Sequence, residues 1–580
     1  MHTSFSQCLV RTRNFIVGDG NSDLDMLPDR IPKFYFGLCI ALYVVYLIAM
    51  QPALLLGGEM WAEMATNYYV NAGSESMFVR IFATDAGYVP LPQRIIAQFF
   101  QILALPASSI PFAYSWAAVL FTGALVGSFC LRPFRRVVQS DGLRLATSLV
   151  VLILSDFETR TFINFSYFAA FFLAILSAWA IASPKDQRVP WWAWFAPILV
   201  VSKPAVLATV PGLLIAALIS RNRRFQWLAG LTVVMCGAQA FQMLLSRQQG
   251  TFAAAVATSL GERVFAGLKY ALGYLSNYLA GPLIPIGAYG LIMMGALLAI
   301  ILILVVIFRK RPSNSLIVIG GLAIVFNMLI NAVALSDSWT SSMNQLPGPG
   351  IYRHVIVAVS GAILIIAGLS MNILQADATI LTANRSRFAV ILFTGWFAVV
   401  GWVDQAGRLN QQPVFPALNV SYWKSMGPLI QSGAPVCVPI NPLGWYFERG
   451  CTVLSSGPSW ATPLNFPAAQ DAMGSVKLQL PVPDLPGRSV QAIGLAVKPM
   501  VPEMEVVSGR VLLILKDGTS RELIGSTRMS AAGAFLMLNA AVPISMEQIA
   551  SAEILIQAPV VVGRTAASEG APPALAWLGR

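Results

Sequence analysis

The chain has 580 residues, of which 56% are hydrophobic and 11% charged, with a mean hydropathy of +0.68. A soluble protein carries about a quarter charged residues, so much of this chain faces lipid rather than water. The formal charge of +12 does not mark a nucleic-acid binder, because the basic residues fall in short clusters between apolar runs and form no basic face. His2 and His354 are the two histidines, which excludes a His-rich zinc site and leaves only His354 for a Ser-His-Asp arrangement.

Residues 1–33 are polar and charged and read as a cytoplasmic N-terminal segment; the apolar run that follows is too long for the core of a cleavable signal. Apolar runs lie near 34–56, 109–131, 143–156, 163–183, 190–202, 205–220, 225–246, 282–308, 315–335, 352–373 and 387–404. They predict a mainly α, polytopic membrane protein of about eleven transmembrane helices, some short enough to cross only as hairpin partners. Basic clusters follow every second run: Arg132, Arg135 and Arg136; Lys185 and Arg188; Arg221, Arg223 and Arg224; Arg309, Lys310 and Arg311; Arg385 and Arg387. Such clusters stay in the cytoplasm. The N-terminus, with Arg11, Arg13, Arg30 and Lys33, is then cytoplasmic, and residues 405–580 lie outside. The expected organisation is a transmembrane module over 34–404 with an external loop at 57–108, and an extracytoplasmic domain over 405–580. Longer outward connections, 57–108, 247–281 and the Gly/Pro-rich 336–351, put the working face outside.

Beyond the last run the chain becomes proline-rich, with strand-length apolar stretches at Val490–Val497, Gly509–Lys516, Ala534–Asn539 and Ala552–Ile556. Asp517-Gly518 between two of them signals a hairpin, and the region reads as a small β-sandwich behind a looser α/β segment. Cys8 precedes the first run. Cys39, Cys130 and Cys236 sit in or beside apolar runs as small hydrophobes. Cys437 and Cys451, in the polar region, are disulfide candidates if it faces an oxidising compartment.

The first outward loop carries most of the chemistry. Glu59 and Glu63 are four apart and would share a helix face, with Trp61, Met64 and Tyr68 resting on the membrane surface. A carboxylate at the lip of a membrane cavity suits general-base work; an interfacial helix with solvated acids is the plainer reading. Further along, in Asp85-Ala86-Gly87-Tyr88, Gly87 permits a tight backbone turn, prolines stiffen the approach, and Arg94 opens an apolar helix. An acidic residue just after the first span, followed in the same loop by Ala-Gly-Tyr, prolines and Arg before apolar residues, resembles bacterial GT-C membrane glycosyltransferases, which take sugars from polyprenyl-phosphate donors on the outer side of the membrane. Looser likenesses are Glu158 with Asn164, the Ser202-Lys203-Pro204 hairpin, and Ile351-Tyr352-Arg353-His354 at the start of a late span. The resemblance covers roughly the first 400 residues in topology. It departs where related chains carry Glu-Asp-Gly after the first span, because Met60 and Trp61 follow Glu59 here.

The resemblance implies base-assisted inverting sugar transfer to a cell-envelope glycan or glycolipid at a bacterial inner membrane. Glu59, Glu63 and Asp85 are the catalytic carboxylates, with Glu59 the first choice as base. Arg94, Lys203, Arg353 and His354 would meet the donor phosphate, and Tyr88, Glu158 and Asn164 would line the cavity. The implied partners are a polyprenyl-phosphate-linked sugar, the acceptor and the bilayer, without nucleic acid. No cofactor is required; a divalent metal on Glu59, Glu63 or Asp85 is compatible with hard-cation chemistry, though no spacing demands one. Bland alternatives stand beside these roles: Arg94 snorkelling to the interface, Lys203 anchoring its hairpin, Arg353 and His354 marking a helix end, Glu158 pairing with Arg160. The rival functions are a lipid or polysaccharide flippase or transporter, a polysaccharide polymerase or ligase, and a non-catalytic envelope-assembly subunit. A transporter would place ionisable residues at mid-membrane depth and show related halves. Neither is evident.

Overall fold

The computed structural model describes residues 12–13, 16–17, 30–246, 259–281, 287–334, 352–374 and 383–406, and in the C-terminal part 423, 427, 430–431, 436–440, 445–449, 452–453, 462–463, 475–501, 504, 506–528, 534–562 and 574–579. The fold is mainly helical with a β-rich C-terminal region. Among the described residues seven helices are long and apolar enough to cross a membrane: Arg30–Met50, Ala107–Arg136, Phe165–Ala182, Arg223–Leu245, Ala288–Arg309, Asn314–Val333 and Ile356–Ile373. The chain is a multi-pass membrane protein by this measure.

The expected count of eleven is not reached, because the other four runs form short or broken helices. The run at 143–156 forms Asp141–Ile153, 13 residues and so about 20 Å long, less than a hydrocarbon core of about 30 Å. The runs at 190–202 and 205–220 form Trp191–Val200 and Pro204–Ser220, both shorter apolar helices. The run at 387–404 forms Ala383–Trp396, which passes into a π-helix, Phe397–Ala406. Conversely, the stretch expected as an outward connection at 247–281 contains a 21-residue helix, Leu260–Ala280. A capping box starts it: the Ser259 hydroxyl accepts from Glu262 N at 3.3 Å, and the Glu262 carboxylate accepts from Ser259 N at 2.8 Å. Glu262, Arg263 and Lys269 dilute its hydropathy, while its other face buries a stack of Tyr270, Tyr274 and Tyr278 with centroids 6.3 and 5.3 Å apart.

The chain forms two compact units. The first comprises Met1–Tyr46, Glu75–Ile96 and Ala117–Pro413; the second comprises Leu47–Ser74, Ala97–Trp116 and Val414–Arg580. Within the first, helices Asn314–Ala334 and Ile356–Leu374 touch backbone to backbone. A Cβ on Gly320 would lie 2.4 Å from the Gly361 carbonyl oxygen, and one on Gly361 2.5 Å from that of Gly320. Such small-residue seams replace hydrophobic driving force inside a membrane. Polar contacts extend the seam: Ser313 donates to Asn372, Asn372 to Asn314, and Ala358 N to Asn327 Oδ1. Gly361→Leu is expected to force these helices apart at a cost of about 1–3 kcal/mol, read as a lower thermal midpoint in detergent, whereas Gly321→Leu, where a Cβ meets open space, leaves the midpoint unchanged.

In the second unit the expected strands are present. A ten-stranded sheet runs through Thr452–Val453, Ala574–Gly579, Ser489–Pro499, Ala534–Ser545, Ser520–Arg528, Val506–Leu515, Ile549–Gln557 and Ser475–Leu480, with Thr462–Pro463 and Val560–Val562 pairing off this path. All the named pairings are antiparallel. The ladder between Ser520–Arg528 and Ala534–Ser545 narrows to two residue pairs, and residues from both sides of that seam, Leu513 and Leu523 with Leu536, Ile493 and Trp577, share one core. The sandwich is therefore a single sheet folded on itself. Strict alternation along Val506–Leu515 supplies its buried face, and Asp517-Gly518 makes the predicted turn, with Thr519 N donating to Asp517 Oδ1 at 2.8 Å. A separate hairpin pairs Val436–Ile440 with Trp445–Arg449. Cys451 and the side chain of Cys437 lie outside the described residues, so the disulfide candidate does too, as does the 336–351 stretch. Cys39 and Cys130 are buried free thiols.

Candidate functional site

The chain reverses at Asp85-Ala86-Gly87-Tyr88. Asp85 N donates to the Tyr88 carbonyl at 2.8 Å and Tyr88 N to the Asp85 carbonyl at 3.1 Å. The φ angles are +47° at Ala86 and +89° at Gly87, the left-handed pair of a type I′ turn. Glycine takes this conformation freely, but alanine holds it at a cost of about 1 kcal/mol, so the surroundings impose the turn on Ala86. Asp85 and Tyr88 are paired across this bridge, which stands their side chains on one face. The Tyr88 hydroxyl donates to Asp85 Oδ2 at 3.2 Å.

Lys203 completes the group. The helical runs on either side of it break at Ser202-Lys203-Pro204, and Leu91 N joins the start of that break at the Val201 carbonyl, 3.0 Å away. The Lys203 ammonium donates to the Tyr88 hydroxyl and lies 4.8 Å from the Tyr88 ring centroid and 6.0 Å from that of Tyr167. Asp85, Tyr88 and Lys203 are 8%, 7% and 5% exposed. The result is a buried carboxylate–phenol–ammonium chain in which each polar group has a partner of complementary character.

A second charged pair belongs to the same unit. Arg353 forms an ion pair with the Glu158 carboxylate, and Asn164 Nδ2 donates to the Glu158 carbonyl at 3.0 Å. Asp156 caps the short helix Phe157–Arg160 by accepting from Thr159 N at 2.9 Å. The Asn164 carbonyl in turn accepts from Tyr167 N at 3.0 Å, and the Tyr167 ring is the one that lies 6.0 Å from the Lys203 ammonium. The alternative pairing of Glu158 with Arg160 is not adopted. Arg160 is 1% exposed, donates to the Ser155 hydroxyl at 2.9 Å and the Ser155 carbonyl at 2.5 Å, and covers the Tyr46 ring. Arg94, also 1% exposed, donates from Nε to the Ala83 carbonyl at 3.1 Å and so holds the segment entering the Asp85 turn.

Glu59 and Glu63 belong to the second unit. They do not share a helix face as expected: Gly58 and Ala62 have φ of +68° and +41°, which no right-handed helix accommodates, and the helix that follows, a π-helix, is Met64–Tyr69. Gly58 is required twice over, because a Cβ there would lie 2.3 Å from the Phe112 ring. Met64 and Tyr68, expected on the membrane surface, are buried at 1% and 0%; alongside them Tyr69 packs edge-on against Trp423 and Phe447, with centroids 5.2 and 5.9 Å away. Glu59 is 2% exposed, and its Oε1 accepts from Met60 N at 3.1 Å.

Two glutamines absent from the sequence-based set organise the first unit's group. Gln239, 2% exposed within the apolar helix Arg223–Leu245, accepts from Val89 N at 3.3 Å and donates to the carbonyls of Val89 at 3.2 Å and Ser202 at 2.9 Å. Gln93, fully buried, donates to the Ile163 carbonyl and the Ser166 hydroxyl, both at 2.8 Å, beside Tyr167. For Gln239 the available signal was a polar amide inside a membrane-length apolar helix, where an unsatisfied group is costly; Gln93, in the 12-residue helix Leu91–Ile102, carried no such signal.

His354 sits just before the helix Ile356–Leu374, and its carbonyl accepts from Asn331 Nδ2 at 2.8 Å. Burial, reinforced by the neighbouring Arg353 charge, pulls its imidazole down to about 4. The folded protein thus holds His354 neutral where an unfolded chain would take up a proton near pH 6.5. Its contribution to stability is fully present above that pH and is lost as pH falls toward 4. Thermal midpoints in detergent are expected to drop between pH 7 and pH 4.5, and His354→Gln should flatten part of that slope.

Among the described residues no group of three or more His, Cys, Asp or Glu gathers as metal ligands. No protein-family model, curated protein or solved structure matches the chain.

Proposed function

We propose that this protein is a membrane glycosyltransferase of GT-C type that moves a sugar from a polyprenyl-phosphate donor to a cell-envelope glycan or glycolipid on the outer face of a bacterial inner membrane. The observation that carries the proposal is the buried Asp85–Tyr88–Lys203 chain, with the Arg353–Glu158 pair in the same unit. It supplies, in one unit of the fold, a carboxylate for proton abstraction and two cations for a phosphate. The outward orientation is part of the proposal: it takes the four shorter helical runs as crossing together with the seven long ones, and Leu260–Ala280 as not crossing, so that the basic clusters stay cytoplasmic and the β-rich C-terminal region is extracytoplasmic.

In this reading the acceptor hydroxyl attacks the anomeric carbon while Asp85 takes its proton. The bond from that carbon to the donor phosphate oxygen breaks in the same displacement, so the configuration inverts. Prenyl phosphate leaves as a stable anion and needs no general acid. The negative charge that grows on it is met by Lys203 as a point charge and by Arg353 as a bidentate donor. Arg353 and Glu158 are 35% and 39% exposed along their side chains, so a phosphate can displace the Glu158 carboxylate from Arg353 at small cost. Tyr88 orients Asp85 and keeps Lys203 at the phosphate side. Asp85 takes the role first given to Glu59, because Asp85 shares its unit with every proposed phosphate ligand.

The test is direct. Purified protein in proteoliposomes, given a panel of labelled polyprenyl-phosphate sugars and envelope glycan extract, should release prenyl phosphate and label the acceptor. Protein-dependent movement of the intact lipid-linked sugar across the bilayer, without release, would assign a flippase instead.

A further inference from the structure

We infer that Gln239 is a positioning residue that sets the contact between Tyr88 and Lys203, and through it the orientation of Asp85; this rests on the proposed transferase reading. Asp85 and Tyr88 come from one hairpin turn, and Lys203 from a break between two helical runs 115 residues further on. The Gln239 amide bonds the residue next to each: Val89, beside Tyr88, through both its N–H and its carbonyl, and Ser202, beside Lys203, through its carbonyl. One planar amide thus uses its acceptor once and its donor group twice, on two segments of backbone. Leu91 N to Val201 O is the direct backbone bond across the same junction; it leaves a hinge that the amide removes. A glutamine inside an apolar helix is retained only where its bonds are satisfied, and here all three go to the two segments that carry the reacting groups.

Gln239→Asn shortens the amide by one methylene, so it cannot span both segments. Gln239→Glu keeps the length and the acceptor but loses both donors. Thr232→Val is the control, since this buried threonine on the same helix bonds only the Leu228 carbonyl within that helix. The expected result is a kcat about 10- to 100-fold lower for Gln239→Asn and Gln239→Glu, as follows from displacing a reacting group by about 1 Å. KM for the donor should change less than about 3-fold, the thermal midpoint should match that of Thr232→Val, and Thr232→Val should keep full activity. If kcat stays at the unsubstituted value, or falls equally in Thr232→Val, Gln239 is not a positioning residue. A second measurement needs no substrate and separates this inference from the transferase reading. The pair Tyr88→Cys with Lys203→Cys is bridged by a short bifunctional methanethiosulfonate reagent, because the two long side chains meet at their tips and the thiols stand too far apart for a direct disulfide; the rate is compared with Gln239 present and with Gln239→Asn. Cross-linking several-fold slower in the Gln239→Asn background supports the positioning role even if no sugar is transferred; equal rates overturn it.

Discussion

Replacing Asp85 by asparagine is expected to lower sugar transfer about 10²- to 10⁴-fold, the contribution of a positioned general base, with donor binding nearly unchanged and the thermal midpoint lowered, because the buried group that holds the Lys203 ammonium loses its negative charge. Asparagine is isosteric, and its carbonyl oxygen can still accept the Tyr88 hydroxyl that now reaches Asp85 Oδ2 at 3.2 Å. The turn is held by its own backbone bonds and by Arg94 on Ala83, neither of which needs the carboxylate. What is lost is the site that receives the acceptor's proton. The informative comparison is Glu59→Gln in the second unit: if that variant carries the loss while Asp85→Asn transfers normally, the base is Glu59 and the role given to Asp85 is wrong.

Lys203→Met is expected to lower turnover about 10²- to 10³-fold, as for removing one charged donor from a developing anion, and to raise donor KM. Methionine keeps the apolar stem that packs beside Tyr88 and Tyr167, so the loss reports on the ammonium and not on a cavity. Lys203→Arg should recover part of the rate because it restores charge but not the compact point geometry. Product inhibition by prenyl phosphate should weaken in Lys203→Met and in Arg353→Ala, since both cations meet the departing phosphate. Unchanged donor KM and unchanged product inhibition in both variants would remove the phosphate assignment.

The two predictions depend unequally on what could be seen in the sequence. Gly87 announced a tight turn through a local rule, its freedom to take positive φ, whereas the positive φ at Ala86 is imposed by its surroundings. Lys203 and Arg353 were visible only as cations at the ends of apolar runs. Their place in the group follows from contacts across 115 and 195 residues respectively. The shared face of Glu59 and Glu63 failed because helical spacing was assumed across Gly58 and Ala62, whose left-handed backbone breaks it.

Hydropathy and charge are properties of short stretches, and they alone determined that this chain is a multi-pass membrane protein with a strand-rich C-terminal region, because lipid and water sort residues locally. Seven apolar helices and the strands around Asp517-Gly518 were legible for that reason. Tertiary packing decided the remainder: that the helix Leu260–Ala280 exists despite its charges, that Arg160 turns inward while Glu158 meets Arg353, and that Gln239 ties Val89 to Ser202. A buried polar group must find its partner wherever the fold supplies one, and no local pattern states which distant segment that is.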